Sequence, residues 1–109
     1  MAKIANRTAR GYVQECRPFE ANNIFAVVRH GNDQARYIVY SYGTHFPLWI
    51  REGGVWYENV TKYSPTTSKH KTQTNPYAEA TTPMEREAMV TIANHGIAGL
   101  SLGMGENDV

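Results

Sequence analysis

Cysteine is nearly absent from this chain. Cys16 is the single one. It leaves no partner for an intrachain disulfide and no basis for a cysteine-built zinc site within one copy. That economy fits a reducing compartment. Long apolar runs are missing as well. Nothing approaches the roughly 20 residues of a spanning helix, and no apolar segment near the N-terminus has the form of a secretory signal. The expectation is an intracellular, cytoplasmic protein without membrane contact. Neither sign of charge dominates, since the formal net charge is +1, and this excludes neither nucleic acid nor protein partners. Phosphate-cradling and nucleophile-elbow glycine motifs are absent. Gly99, Gly103 and Gly105 do not open a helix after a strand, so no dinucleotide fingerprint is present. There is no internal repeat and no low-complexity tract.

What the chain does carry is unevenly placed. Lys3, Arg7 and Arg10 stand in the first ten residues with no acid, and Lys62, Lys69, His70 and Lys71 fall in residues 60–73, again with no acid. From Glu79 onward, Glu79, Glu85, Glu87, Glu106 and Asp108 face Arg86 alone. The middle is therefore basic and the last third acidic. Seven Tyr and two Trp are many for one small core, and amphipathic rings serve contact surfaces as well as interiors. At 109 residues the chain has room for one hydrophobic core. The expected organisation is a flexible basic arm over 1–10 and a single α+β domain over 11–105.

Residues 12–16 alternate as a short strand that Pro18 ends. Residues 24–30 and 36–42, β-branched and aromatic, read as a hairpin across the turn Gly31-Asn32-Asp33, with a loop of about five residues. Residues 46–51 and 55–58 read as a second hairpin, whose Gly53-Gly54 pair suits the positive φ of a primed turn. Residues 61–77 suit loops or one short helix beginning near Pro65, and residues 75–81 a linker. Thr82, Pro83 and Glu85 have the form of a helix start with a capping box. Met84, Ala88, Met89, Ile92 and Ala93 then share one helical face, and Gly96 ends the helix. Residues 97–102 are apolar enough for a final strand. The fold expected is α+β: a small antiparallel meander of four to five strands with one C-terminal helix packed on it.

Candidate chemistry concentrates in Tyr63, Thr66, Thr67, Ser68, Lys69, His70 and Lys71. Hydroxyls, an imidazole and ammonium groups at the start of a helical turn suit either local capping or contact with an anion such as phosphate. His45, in the junction Gly43-Thr44-His45-Phe46-Pro47, suits acid–base work, ligation or packing. Tyr40, Tyr42, Trp49, Trp56 and Tyr57 are candidates to add rings to the surface between this junction and the 63–71 stretch. His45 and His70, with Tyr63 and Lys69, have the groups for acid–base attack on a phosphodiester if they meet in space. His30, His45, His70 and His95 match no zinc spacing. Neither a metal nor any other cofactor is expected.

The run Tyr37–Pro47, with its Gly-x-His-x-Pro junction, then Trp56-Tyr57 after a glycine turn, then Lys62-Tyr63-Ser64-Pro65-Thr66-Thr67-Ser68-Lys69-His70-Lys71, resembles a small domain of unknown function found in short phage- and plasmid-encoded proteins. The likeness covers about residues 36–72, and Gly96-Ile97-Ala98-Gly99 is similar too. Lys71 departs from the pattern, which has Gln there. The resemblance implies a mobile-element protein that acts in the host cytoplasm by binding a host protein or nucleoprotein complex. Anti-defence proteins, including anti-CRISPR inhibitors, are one such class. A second expectation is nucleic-acid binding through Arg7, Arg10, Lys62, Lys69 and Lys71, and a third is the small phosphodiesterase. An exposed sheet edge would also permit a homodimer. Among these readings a non-enzymatic binding protein is preferred.

Overall fold

The computed structural model describes residues 1–31 and 34–101. Seven strands lie side by side in chain order: β1 (Ala2–Lys3), β2 (Phe19–Glu20), β3 (Ile24–Gly31), β4 (Gln34–Ser41), β5 (Pro47–Glu52), β6 (Val55–Asn59) and β7 (Thr82–Met84). β2 to β6 form an antiparallel meander. β1 and β7 add a parallel strand at each edge. The fold is α+β, but the sheet is wider than the four or five strands expected. Strands of two and three residues are too short to show periodicity. Pairing runs to Gly31↔Gln34, which closes the expected five-residue loop to a shorter one. Asn32 and Asp33 of that turn lie outside the described residues. Gly53 and Gly54 both have positive φ, 59° and 77°, as a type I′ hairpin turn requires.

Helices cover both faces, which replaces the single C-terminal helix of the sequence reading. They are α1 (Ala9–Gln14), α2 (Pro65–Thr74), α3 (Arg86–His95) and α4 (Ala98–Ser101). On one face Ala9 and Val13 of α1 pack with Phe19, Tyr37, Val39, Trp49 and Trp56. On the other, Met89, Ile92 and Ala93 of α3 pack with Ile38, Tyr40, Ile50 and Tyr57. The consecutive residues 36–41 of β4 are therefore all buried, because both sides of the strand meet a layer there.

Three segments depart from expectation for identifiable reasons. Residues 12–16 belong mostly to α1, not to a strand. Ala9 and Val13, one helical turn apart, are fully buried, and a helix this short is held by packing rather than propensity. Thr82 to Met84 do not open the C-terminal helix. They extend alongside Tyr57, Glu58 and Asn59, and the helix begins at Arg86, whose N–H donates to Thr61 Oγ1 at 2.7 Å. Thr61 thus supplies from another segment the cap that Thr82 was expected to give. Ala98–Ser101 form α4 instead of a strand, with Gly99 N donating to Gly96 O at 3.0 Å and Leu100 N to Ile97 O at 3.1 Å. Leu102 lies outside the described residues.

The first ten residues, expected as a loose arm, carry β1, a 3-10 turn (Asn6–Thr8) and the start of α1. Arg10 ties this segment to α2, donating to Thr72 O at 2.6 Å and Asn75 O at 2.9 Å. A cation at the C-terminal carbonyls of a helix satisfies both the orphan acceptors and the dipole.

Candidate binding edge

β4 ends at Ser41, and the chain reverses in a tight loop. Ser41 N donates to Phe46 O at 3.1 Å, Gly43 N to Ser41 O at 2.8 Å and Phe46 N to Gly43 O at 3.2 Å. Within this loop Tyr42 takes φ 69°, a left-handed conformation that bulky residues rarely adopt. Its N–H is held by Asn23 O at 2.8 Å. Tyr42 is 54% exposed, and its ring lies against His70, with ring centroids 5.3 Å apart and planes tilted by 48°. Next to it, exposed His45 meets Phe46 edge-on, and Phe46 meets Tyr63 edge-on at 4.7 Å. A Cβ on Gly43 would sit 3.1 Å from the His45 ring, so the absence of a side chain there lets the imidazole fold over the turn.

The opposing wall is α2. Its start follows from Ser64 and Pro65: Ser64 Oγ accepts from Thr67 N at 3.3 Å, and Pro65 sits at the first position, where no N–H is needed. The buried face of α2 is polar. Thr67, His70 and Thr74 point inward, while Thr66, Ser68 and Lys69 are exposed. His70 shares a buried 2.8 Å hydrogen bond with Ser41 Oγ through Nδ1. Burial, with the neighbouring Lys69 charge, holds its pKa below the ordinary 6.5. Trp49 Nε1 donates to Thr74 Oγ1 at 3.1 Å, which anchors the helix's other end to the sheet.

Lys71 points to the flank, where its Nζ lies 2.7 Å from Glu58 Oε2 and 5.4 Å from the Trp49 ring centroid. Thr81 Oγ1 donates to the other Glu58 oxygen at 2.7 Å. Burial pushes the Glu58 carboxyl up, but these two donors and the Lys71 charge outweigh it and leave its pKa lowered. A cleft of about 390 Å³ opens beside this pair, between Glu58, Lys62, Tyr63, Ser68 and Lys71. Burial, and to a lesser extent Glu58, pushes the Tyr63 phenol up to about 12.

The structure brings Tyr42, His45, Tyr63 and His70 to one end of the sheet and separates Trp56 from them. Trp56 is buried edge-on to Tyr37, beside the Gly53-Gly54 turn. Tyr40, Trp49 and Tyr57 are core residues. Of the five rings offered for a surface, Tyr42 alone is exposed. Among the described residues no hydrogen bond joins His45 to His70, and no group of three or more His, Cys, Asp or Glu is placed to hold a metal ion. No described helix is long and apolar enough to cross a membrane. Sequence reasoning missed Ser41 and Glu58, while Phe46 belongs to the 43–47 junction that it offered for the surface. Glu58 lies 13 residues from Lys71 and Ser41 lies 29 from His70, and no local pattern announces such partners. No family model, curated protein or solved structure matches the chain.

Proposed function

We propose that the chain is a non-enzymatic phage or plasmid protein that docks on a host protein or nucleoprotein complex through the Tyr42 edge. The observation that carries this reading is Tyr42 itself. An aromatic residue is held at φ 69° with about half its surface in solvent. A left-handed backbone costs a side-chain-bearing residue about 1–2 kcal/mol, and strain of this kind concentrates at functional positions. Tyrosine is among the residues that dominate binding energy at interfaces. His45 and the exposed Thr66, Ser68 and Lys69 supply polar groups around it. The mobile-element origin rests on the resemblance over residues 36–72, and an anti-defence inhibitor is the form it implies.

The rival readings lose groups that they need. Lys71 is paired with Glu58 and Arg10 with backbone carbonyls. Of the five cations offered to a phosphate backbone, Arg7, Lys62 and Lys69 remain. A phosphodiesterase would need His70, which is buried against Ser41 and covered by Tyr42.

The test is affinity purification from bacterial lysate, with and without nuclease. It compares the native chain, Tyr42→Gly, and a Lys62→Ala/Lys69→Ala double variant. Glycine relieves the backbone while removing the ring, so folding is retained and the contact is lost. A partner should survive nuclease, persist with the double lysine variant and disappear with Tyr42→Gly. Capture that nuclease abolishes would favour nucleic acid, and capture indifferent to Tyr42→Gly would refute the edge.

A further inference from the structure

A second surface lies at the far end of the sheet from Tyr42. The register pairs Val28 with Tyr37, Tyr37 with Arg51 and Arg51 with Trp56, so these four side chains form one row across β3 to β6. Two hollows open along it. One, of about 340 Å³, lies between Cys16, Val28, Ala35 and Tyr37. The other, of about 520 Å³, lies between Trp56, Pro76, Ala78 and Glu79. Arg51 and Gly54 line both, which makes them parts of one groove with the guanidinium at its middle.

Arg51 is half-buried, with its Cζ 5.7 Å from the Trp56 ring centroid. Among the described residues no carboxylate lies within ion-pair distance of it and no side-chain hydrogen bond engages it. Arg10, Arg17, Arg29 and Arg36 each donate to a protein oxygen, whereas the Arg7 and Arg86 side chains, like Arg51, do not among the described residues. Two other polar groups of the groove are committed: Tyr37 OH donates to Arg17 O at 2.9 Å and Gln14 Nε2 to Pro76 O at 3.2 Å, while Glu79 makes no side-chain hydrogen bond or ion pair among the described residues. The Cys16 thiol, which burial pushes upward against the pull of Arg51, stays neutral and forms an apolar wall.

We propose that this groove binds an organic carboxylate carrying an apolar body, with Arg51 as its anchor. The planar fork of a guanidinium matches a carboxylate with two parallel hydrogen bonds. Arg51 and Glu79 are the charged groups of the lining. Their opposed signs suit a monoanion better than a phosphate dianion. Tyr37 and Trp56 are only 4% and 6% exposed, so neither offers a face for base stacking, and nucleic acid does not fit. The apolar body belongs in the hollow of Cys16, Val28 and Ala35, away from Glu79. A free acid and the C-terminal residue of a peptide present the same chemistry. This site is independent of the Tyr42 edge.

The experiment titrates the isotope-labelled 109-residue chain by NMR with hexanoate, hexanamide, inorganic phosphate, and a short peptide ending in leucine with a free or an amidated C-terminus. The Arg51 Nε–H and Trp56 indole N–H signals should move with hexanoate or the free-acid peptide, and not with either amide. The tighter of the two ligands identifies the source. Arg51→Met should weaken binding by about tenfold to a hundredfold, the loss expected for a charge-assisted contact, and Arg51→Lys should retain part of it. Ala35→Asp, at an exposed strand position in the lining, should also weaken binding by placing like charge beside the ligand. No movement of either signal with any probe at about 10 mM would overturn the proposal. Equal response to phosphate, or unchanged affinity in Arg51→Met and Ala35→Asp, would do the same.

Discussion

The imidazole of His70 meets the Ser41 hydroxyl, lies under the Tyr42 ring and feels the Lys69 charge. All three accommodate a neutral ring, and burial disfavours a charged one. Its folded pKa is therefore below the unfolded value of 6.5, and between the two values the unfolded chain binds more protons. The stabilising contribution is complete above the unfolded value and is lost as pH falls through the lowered folded one. Urea midpoints at about pH 8 and about pH 5.5, either side of the unfolded value, test this for the native chain and His70→Asn. The native advantage over His70→Asn should shrink at the lower pH. A constant difference would show that the ring does not titrate in this way. Tyr42 and His70 are coupled by their contact, so their substitutions should not be additive.

Helix ends decide where the elements stop. At the end of α3, Gly96 has φ 79° and ψ 171°, a region open essentially to glycine alone. The space around it is filled by a clasp. Arg36 donates to Ala93 O, Glu52 Oε1 accepts from Ile97 N at 2.9 Å, and a Cβ on Gly96 would lie 3.1 Å from Glu52 Oε2. Gly96→Ala should destabilise by about 1–3 kcal/mol in urea unfolding. Gly11, inside α1 with nothing within 4 Å of an added Cβ, should behave oppositely, and Gly11→Ala should stabilise by about 0.5–1 kcal/mol. At the start of α3, Thr61 accepts from Arg86 N and donates to Glu85 Oε2 at 2.7 Å. Thr61→Val should cost about 1 kcal/mol, and hydrogen exchange should localise the fraying to the first turn of α3.

Across the molecule, the edges of the sheet are of the kind that resists pairing. β1 has two residues and β7 three, with Pro83 at its centre. Short and proline-bearing edge strands are poor templates for another chain. The 109-residue chain should therefore sediment as a monomer at micromolar concentration, and a concentration-dependent dimer would contradict this. Its radius of gyration, 13.1 Å, is what one domain of about 100 residues requires, near 13 Å. The Tyr42 edge and the Arg51 groove lie toward opposite ends of β4, since Tyr37 pairs with Arg51 and Tyr42 follows the strand's last residue. Substitutions at one are expected to leave the other intact.

The sequence by itself determined β3 to β6, because short runs rich in β-branched and aromatic residues between turn formers bury themselves best as strands. It also determined the apolar face of α3 and the Gly96 stop, each a short-range matter of caps and periodicity, and it left residues 61–77 open between loops and a short helix near Pro65. Tertiary structure alone decided α1, β1 and β7, whose few residues carry too little pattern to compete with alternatives. It also decided the role of α2. That helix packs through Thr67, His70 and Thr74, so no apolar stripe revealed its inward face. The partners of His70 and Lys71 come from β4 and β6, through contacts that exist only once the meander has closed. Local pattern can show that a segment must be buried, and only the closed fold selects what it is buried against.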